Sequence, residues 1–334
     1  MAVEAMAYAR AGLIGNPSDG YFGKTISFTI RDFSAKVSLY EHPEVEIVPS
    51  RRDRSTYGSV RELVEDVKAY GYYGGIRLIK ATIRGFVEYC DQNGIVLPSR
   101  NFSIRYRTTI PRHVGLAGSS ALVTAALRCL MEYYEVDIPK VVQPNVILGV
   151  EARELGISAG LQDRVIQVYQ GCVYMDFDRA VMDEHGHGRY EEIDPRLLPD
   201  LFIAYRTDLA EGSEVFHNDI RERWGRGEEE VVQAMKDFAA YADEVRSLLL
   251  ANRGGEIGPW LDRNFERRRS IYTAMSPRNI ELVERARGAG AHCKFAGSGG
   301  AIVGTYADEA TLERIRQAFK DTPSVVLKPE VALA

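Results

Sequence analysis

The chain predicts an α+β fold of two domains. Its 334 residues are enough for two domains or one large one. The first half alternates β-rich runs with runs of helical period. The second half is mostly helical and then closes on strand, helix and strand.

The elements follow in order. Residues 7–14, AYARAGLI, read as a strand that ends in the turn GNPSDG. Residues 25–40 hold two β-rich runs around Arg31-Asp32, which predicts a hairpin. Ile76, Ile79, Ile83, Phe86, Val87 and Cys90 recur at helical spacing. Residues 101–111 alternate, with Phe102, Ile104 and Tyr106 on one side, and Pro111 stops that strand. Leu122, Ala125, Ala126, Cys129, Leu130 and Tyr133 form one apolar helix face, with Ser119 and Ser120 ahead of it in cap position. A further helix is expected from about Pro144 to Leu155, and a strand over 171–177.

Residues 178–200 are charged and carry Gly, His and Pro, so they read as an inter-domain connection. The domains are therefore expected at 1–180 and 200–334. Helices are expected from about 213 to 290, then the stretch HCKFAGSGGAIVGTYA, a helix near 308–320 and the strand SVVLK.

Composition narrows the function. A net charge of -5 does not suit a protein that coats nucleic acid. No apolar run approaches the ~20 residues that span a bilayer. The N-terminus carries Glu4 early and lacks a basic region before an apolar core, so no secretory signal is read and the cytoplasm is the expected compartment. Cys90, Cys129, Cys172 and Cys293 are widely spaced and read as buried thiols. His185 and His187 read as loop residues rather than metal ligands.

The stretch Pro111-Arg112-His113-Val114-Gly115-Leu116-Ala117-Gly118-Ser119-Ser120-Ala121 places small residues directly before an apolar helix. Such a loop lets a phosphate approach unpaired N–H groups and the positive end of the helix dipole. A tight turn with a helix cap and no ligand is the plainer alternative. The stretch SDGYFGKT (18–25) misses the Walker pattern at its first glycine, and Leu122 spoils a serine-hydrolase elbow. Two further segments matter. EARELGISAGLQDR (151–164) spaces Glu151 and Asp163 twelve apart around Gly156 and Gly160, and KFAGSGG (294–300) is a second glycine loop.

Together these segments resemble the motifs of the GHMP small-molecule kinases, named for galactokinase, homoserine kinase, mevalonate kinase and phosphomevalonate kinase. The matching segments are ARAGLIGNPSD, PRHVGLAGSSA, the span from Glu151 to Asp163, and KFAGSGG, in family order across nearly the whole chain. One departure stands out. Two residues, Ala117 and Gly118, separate Gly-Leu from Ser-Ser where the family has one. GNPSDGYFG, YYGGIRL and AGLQDRV are most similar to the glucuronokinase branch.

The resemblance implies a ribosomal-S5-like first domain, a ferredoxin-like second domain and an active site between them. It implies ATP and Mg²⁺, with the loop 111–121 at the β- and γ-phosphates and Ser120 (or Ser119) with Glu151 at the metal. It implies Asp163 as general base, with Arg10 opposite lowering its pKa, and Asp19 at the sugar hydroxyls. Gly297, Ser298, Gly299 and Gly300 would close over the reactants. The implied substrate is a sugar acid, D-glucuronate, phosphorylated at the anomeric hydroxyl. Galactokinases place Glu-His where Asn16-Pro17 stand here, and losing that carboxylate suits a uronate. Arg164 is the first candidate for the sugar carboxylate, with Arg112 and Arg77 behind it.

Tyr72-Tyr73 could pack on a sugar face or in the core. Arg267-Arg268-Arg269 read as a solvated helix face, and the role of His217 stays open. The rivals are a kinase for galacturonate, a neutral hexose or a heptose phosphate, a decarboxylase on the same fold, and a non-catalytic sugar sensor.

Overall fold

The computed structural model describes residues 2–50, 53, 59, 74–208, 214–272 and 274–332, with backbone only for 214–218. Tyr72-Tyr73 and the side chain of His217 lie outside the described residues.

Strands β1 (Ala2–Ile14) and β2 (Lys24–His42) pair antiparallel along almost their whole length. Strand β2 organises a six-stranded sheet. Its C-terminal half also pairs with β4 (Asn101–Thr108), which takes β3 (Glu46–Val48) in parallel. Its N-terminal half pairs with β5 (Cys172–Asp176), which takes β6 (Arg189–Ile193).

No hairpin forms at Arg31-Asp32, because the two β-rich runs are one strand. The register with β1 shifts there: Ala9 faces Ile30 and Tyr8 faces Ser34, so the residues between form a bulge. The C-terminal tail satisfies its polar groups. The Arg31 N–H donates to the Glu330 carbonyl at 2.8 Å, and the Asp32 carboxylate accepts the Glu330 N–H at 2.8 Å.

Helices α1 (Gly75–Gln92), α2 (Gly118–Tyr134), α3 (Gln143–Gly149) and α4 (Gln162–Tyr169) belong to this first body. Helix α2 lies on β1 and β2 and against α1. The apolar face read from Leu122 to Tyr133 is fully buried there. The segment 178–200 is not a bare connection. Asp178 caps a short helix, α5 (Arg179–His185), and β6 follows. Ile193 is buried and Tyr190 packs beside Phe177, so Tyr190 and Ile193 hold a strand whose remaining residues are charged because it is a sheet edge.

The second sheet runs β10-β7-β9-β8, all antiparallel, from β7 (Leu201–Arg206), β8 (His292–Phe295), β9 (Ala301–Thr305) and β10 (Ser324–Leu327). Between β7 and β8 stand α6 (Glu214–Gly225), α7 (Glu229–Leu250), α8 (Gly258–Ile271) and α9 (Pro277–Gly288), and α10 (Glu309–Phe319) precedes β10. Strand periodicity joins the two bodies. Leu201, Ile203 and Tyr205 of β7 face the core that contains β1 and β2. Phe202 and Ala204 face Leu282, Val283, Leu312 and Ile315 of α9 and α10. All four cysteines are buried free thiols. Among the described residues no helix is long and apolar enough to cross a membrane.

Candidate active site

The site forms where β1, the N-terminus of α2, the N-terminus of α4 and the β8–β9 turn meet. Helix α2 starts at Gly118, one residue before the serines. Its cap is Ala117 in the left-handed region (φ 59°), and no side chain caps the helix. Ser119 and Ser120 are therefore first-turn residues, not caps. The additional residue of the loop is absorbed by that left-handed Ala117, and the first-turn N–H groups stay free of a side-chain acceptor.

The two serines have opposite fates. Ser120 is buried, and its hydroxyl turns back to the Ala117 carbonyl at 3.3 Å. The Ser119 hydroxyl donates to Glu151 Oε1 at 2.8 Å. The expected partner of Glu151 is thus Ser119 rather than Ser120, because successive helical residues point about 100° apart and only one can face the carboxylate. Glu151 sits in a π-helical turn (Val150–Glu154) that continues α3 and is completely buried.

Arg164 does not present a fork to a ligand. Its Nε and Nη2 both donate to Glu151 Oε2, the first at 2.8 Å, and its Nη1 donates to the Gly160 carbonyl at 2.9 Å. It is 4 % exposed, and its charge is shared between the buried Glu151 and Asp163, whose Oδ2 lies 3.5 Å from its Nη1. Arg77 donates to the Leu155 carbonyl at 3.1 Å, and Arg112 is exposed at the loop tip.

Arg10 and Asp163 meet in a two-pronged pair, Nε to Oδ1 at 2.6 Å and Nη2 to Oδ2 at 2.8 Å. Asp163 lies in the first turn of α4. Arg10 Nη1 also donates to the carbonyls of Gly115 at 2.6 Å and Ala296 at 3.1 Å. One guanidinium thereby ties together the β1 strand, the phosphate loop, the acid and the second glycine turn.

Asp19 packs on Gly160 and accepts the Gln162 N–H at 3.3 Å. Burial, and then the charge of Asp163, push its carboxyl up to about 6. The neighbouring Asn16 Oδ1 and Gln162 Oε1 are buried and have no hydrogen-bond partner among the described residues, and a Cβ built on Gly12 would touch both side-chain amides. These are polar groups that a hydroxyl-rich ligand could satisfy.

The Gly297–Gly300 turn sits directly on the phosphate loop. A methyl group on Gly297 would strike the Gly115 carbonyl and the Arg10 guanidinium, so only glycine allows this approach. Gly300 lies against Val114 and His113, and its N–H donates to Asn279 Oδ1 at 2.9 Å.

Three residues that the sequence reading missed support this turn and the one after β1. Arg268 is 3 % exposed, not part of a solvated face, and donates to the carbonyls of Gly297 at 2.7 Å and Ser298 at 3.4 Å. Its neighbours do stay outside, Arg267 paired with Asp237 and Arg269 facing Glu284. Lys294 is buried, and its Nζ donates to Gly12 O at 2.5 Å and Phe295 O at 2.8 Å. Burial, and then the positive charges of Arg268 and Arg10, hold that amine well below its ordinary pKa. Asn264 accepts the Gly15 N–H and donates to the Asn16 carbonyl, fixing the turn after β1. A signal was present: Leu261, Asn264, Phe265 and Arg268 fall at helical spacing on the buried stripe of α8.

Residues 77–171 match the family "GHMP kinases N terminal domain", and residues 245–324 match "GHMP kinases C terminal". The chain is 44 % identical over 307 residues to "Glucuronokinase 1" of Arabidopsis thaliana, covering 90 % of this chain and 84 % of that protein. The chain belongs to the GHMP kinase family. This GHMP kinase is also 45 % identical over 306 residues to "Probable glucuronokinase 2" of the same plant, covering 90 % of this chain and 83 % of that one. The fold of Lactococcus lactis galactokinase, solved with galactose, superposes on this GHMP kinase with a TM-score of 0.77 at 14 % identity, covering 99 % and 93 % of the two chains.

The donor set beside the phosphate loop suits a hard cation. Ser119 and Glu151 offer one hydroxyl and one carboxylate oxygen in contact, and these two would hold a magnesium ion, which would supply charge neutralisation there.

Proposed function

We propose that this protein is an ATP-dependent kinase that phosphorylates D-glucuronate at the anomeric hydroxyl, giving D-glucuronate 1-phosphate and ADP. The observation that carries the chemistry is the Arg10–Asp163 pair, set between the two glycine loops. The sugar is taken from the two Arabidopsis relatives, which are similar over most of their length.

The residues divide the work. The N–H groups at the start of α2 and the loop from Pro111 to Ala121 receive the ATP phosphates. Ser119 and Glu151 hold Mg²⁺, which when bound neutralises phosphate charge. Asp163 takes the proton of the anomeric hydroxyl as that oxygen attacks the γ-phosphorus and the bond to the β-phosphate oxygen breaks. Arg10 grips both oxygens of the Asp163 carboxylate and aims it. Asp19, with the amide oxygens of Asn16 and Gln162 that have no partner among the described residues, receives the other sugar hydroxyls. Asn16 in place of a carboxylate spares a uronate a like charge, and Arg164 leaves the sugar carboxylate to another cation.

The test is ADP release with Mg-ATP against D-glucuronate, D-galacturonate, D-galactose, D-glucose and mevalonate. Glucuronate should turn over best. Preference for a neutral sugar would defeat the substrate assignment and leave the kinase. ATP binding without any turnover would favour a sugar sensor.

A further inference from the structure

Four consecutive carbonyls from the end of β8 into the second glycine turn are each held by a buried basic side chain. Phe295 O accepts from Lys294 at 2.8 Å, Ala296 O from Arg10 at 3.1 Å, Gly297 O from Arg268 at 2.7 Å and Ser298 O from Arg268 at 3.4 Å. Arg10, Arg268 and Lys294 are 5 %, 3 % and 1 % exposed. Of the three, only Arg10 has a carboxylate partner among these contacts. Arg268 lies over the rings of Tyr272 and Phe295, at 4.9 and 5.4 Å from their centroids, which fixes its plane.

The consequence follows from peptide geometry. In a trans peptide the N–H points opposite to the C=O it shares a plane with, and the cis bond of this chain is elsewhere, at Asn16-Pro17. Pulling the carbonyls of Ala296, Gly297 and Ser298 toward the cations turns the N–H groups of Gly297, Ser298 and Gly299 the other way. These three donors have no acceptor among the described residues. The nitrogens of Ser298 and Gly299 lie against the phosphate loop, beside the Gly299 carbonyl: a Cβ built on Gly115 would lie 3.2 and 3.3 Å from the two nitrogens and 2.7 Å from that oxygen. Successive N–H groups aimed at one point make an anion-binding concavity.

We infer that Arg268 is a positioning residue for phosphoryl transfer: by holding the Gly297 and Ser298 carbonyls it keeps the Ser298 and Gly299 N–H groups turned toward the transferring γ-phosphoryl group. This rests on the kinase reading above. Arg268 touches no reacting atom. Its cation serves the backbone, and the backbone donors meet the charge that builds on the phosphoryl oxygens.

Two variants separate this from a purely structural role. Arg268→Met removes both carbonyl contacts, and its kcat should fall on the order of 10²-fold with the KM for ATP changed about threefold or less. Arg268→Gln has no charge but can still donate to one carbonyl, and should recover about tenfold of that loss. If Arg268→Met retained about a third or more of wild-type kcat, or Arg268→Gln were as slow as Arg268→Met, the inference would be wrong. The second result would mean that the charge itself acts. Amide exchange supplies a readout free of turnover. A non-hydrolysable ATP analogue with Mg²⁺ should slow exchange at Ser298 and Gly299 in the wild type and not in Arg268→Met. Equal slowing in both, or none in the wild type, overturns the inference. A wild type that bound the analogue but phosphorylated no sugar would defeat the kinase reading, and the exchange comparison would still judge Arg268.

Discussion

Arg10 and Asp163 are 153 residues apart in the chain and form a two-pronged ion pair at 2.6 and 2.8 Å. The pair is not merely electrostatic, because the same guanidinium also holds Gly115 O and Ala296 O. Asp163→Asn should therefore leave the loops tied while removing the base. Its kcat should fall by about 10²–10⁴-fold with the sugar KM little changed. Steady-state kinetics beside a thermal melt checks this, and a variant that kept most of its kcat would put the base elsewhere.

Adjacent serines should behave differently. Ser119→Ala removes the hydroxyl that meets Glu151, and should raise the Mg²⁺ concentration needed for half-maximal rate by roughly tenfold or more. Ser120→Ala removes only a 3.3 Å contact to Ala117 O, and should cost about 1 kcal/mol of stability with activity near wild type. A Mg²⁺ titration of both variants decides, and the reverse pattern would restore Ser120 to the metal.

The buried Glu151–Arg164 pair is structural first. Arg164→Met strands a completely buried carboxylate, and should destabilise the protein by about 3–5 kcal/mol. Denaturant unfolding measures this. Arg164→Lys should recover part of the stability and leave the glucuronate KM within a few-fold of wild type. A large, selective rise in that KM would show that Arg164 reaches the sugar carboxylate after all.

Asp19 should mark the acid side of the pH profile. Its carboxyl titrates at about 6 instead of 3.8, because burial and the Asp163 charge disfavour the anion. The folded state therefore holds the proton more tightly than the unfolded chain. The stabilising protonated form is lost as pH rises from about 4 to about 6, at a cost of about 2 kcal/mol after allowance for partial exposure. Asp19→Asn should flatten stability over that window in pH-dependent melts. It should also remove an acid limb near pH 6 from kcat/KM for the sugar. An unchanged limb would assign it to another group.

Much of the site was legible because phosphate binding is a local affair. A strand, a proline stop and small residues before an apolar helix are contiguous, so the loop 111–121 could be read directly. Glu151, Asp163 and Arg10 were singled out by the resemblance to the GHMP kinase motifs. Arg268 was read as solvent-facing because three consecutive arginines look like a solvated surface. The helix turns each by about 100°, and only the middle one falls on the stripe with Leu261 and Phe265. Strand β6 was hidden in the same way, since an edge strand carries charge on every residue that does not face the core.

By itself, then, the sequence determined most of the helices and strands, the two glycine loops and the family, which depend on neighbours within a few turns of chain. Only the tertiary structure decided which serine meets Glu151, that Arg164 is consumed by that same carboxylate, and that Arg10, Arg268 and Lys294 converge on one turn. Those outcomes depend on burial and on partners more than a hundred residues away in the chain for Arg10 and Lys294. A buried cation must find whatever oxygen the fold delivers to it, and no local pattern records which one that will be.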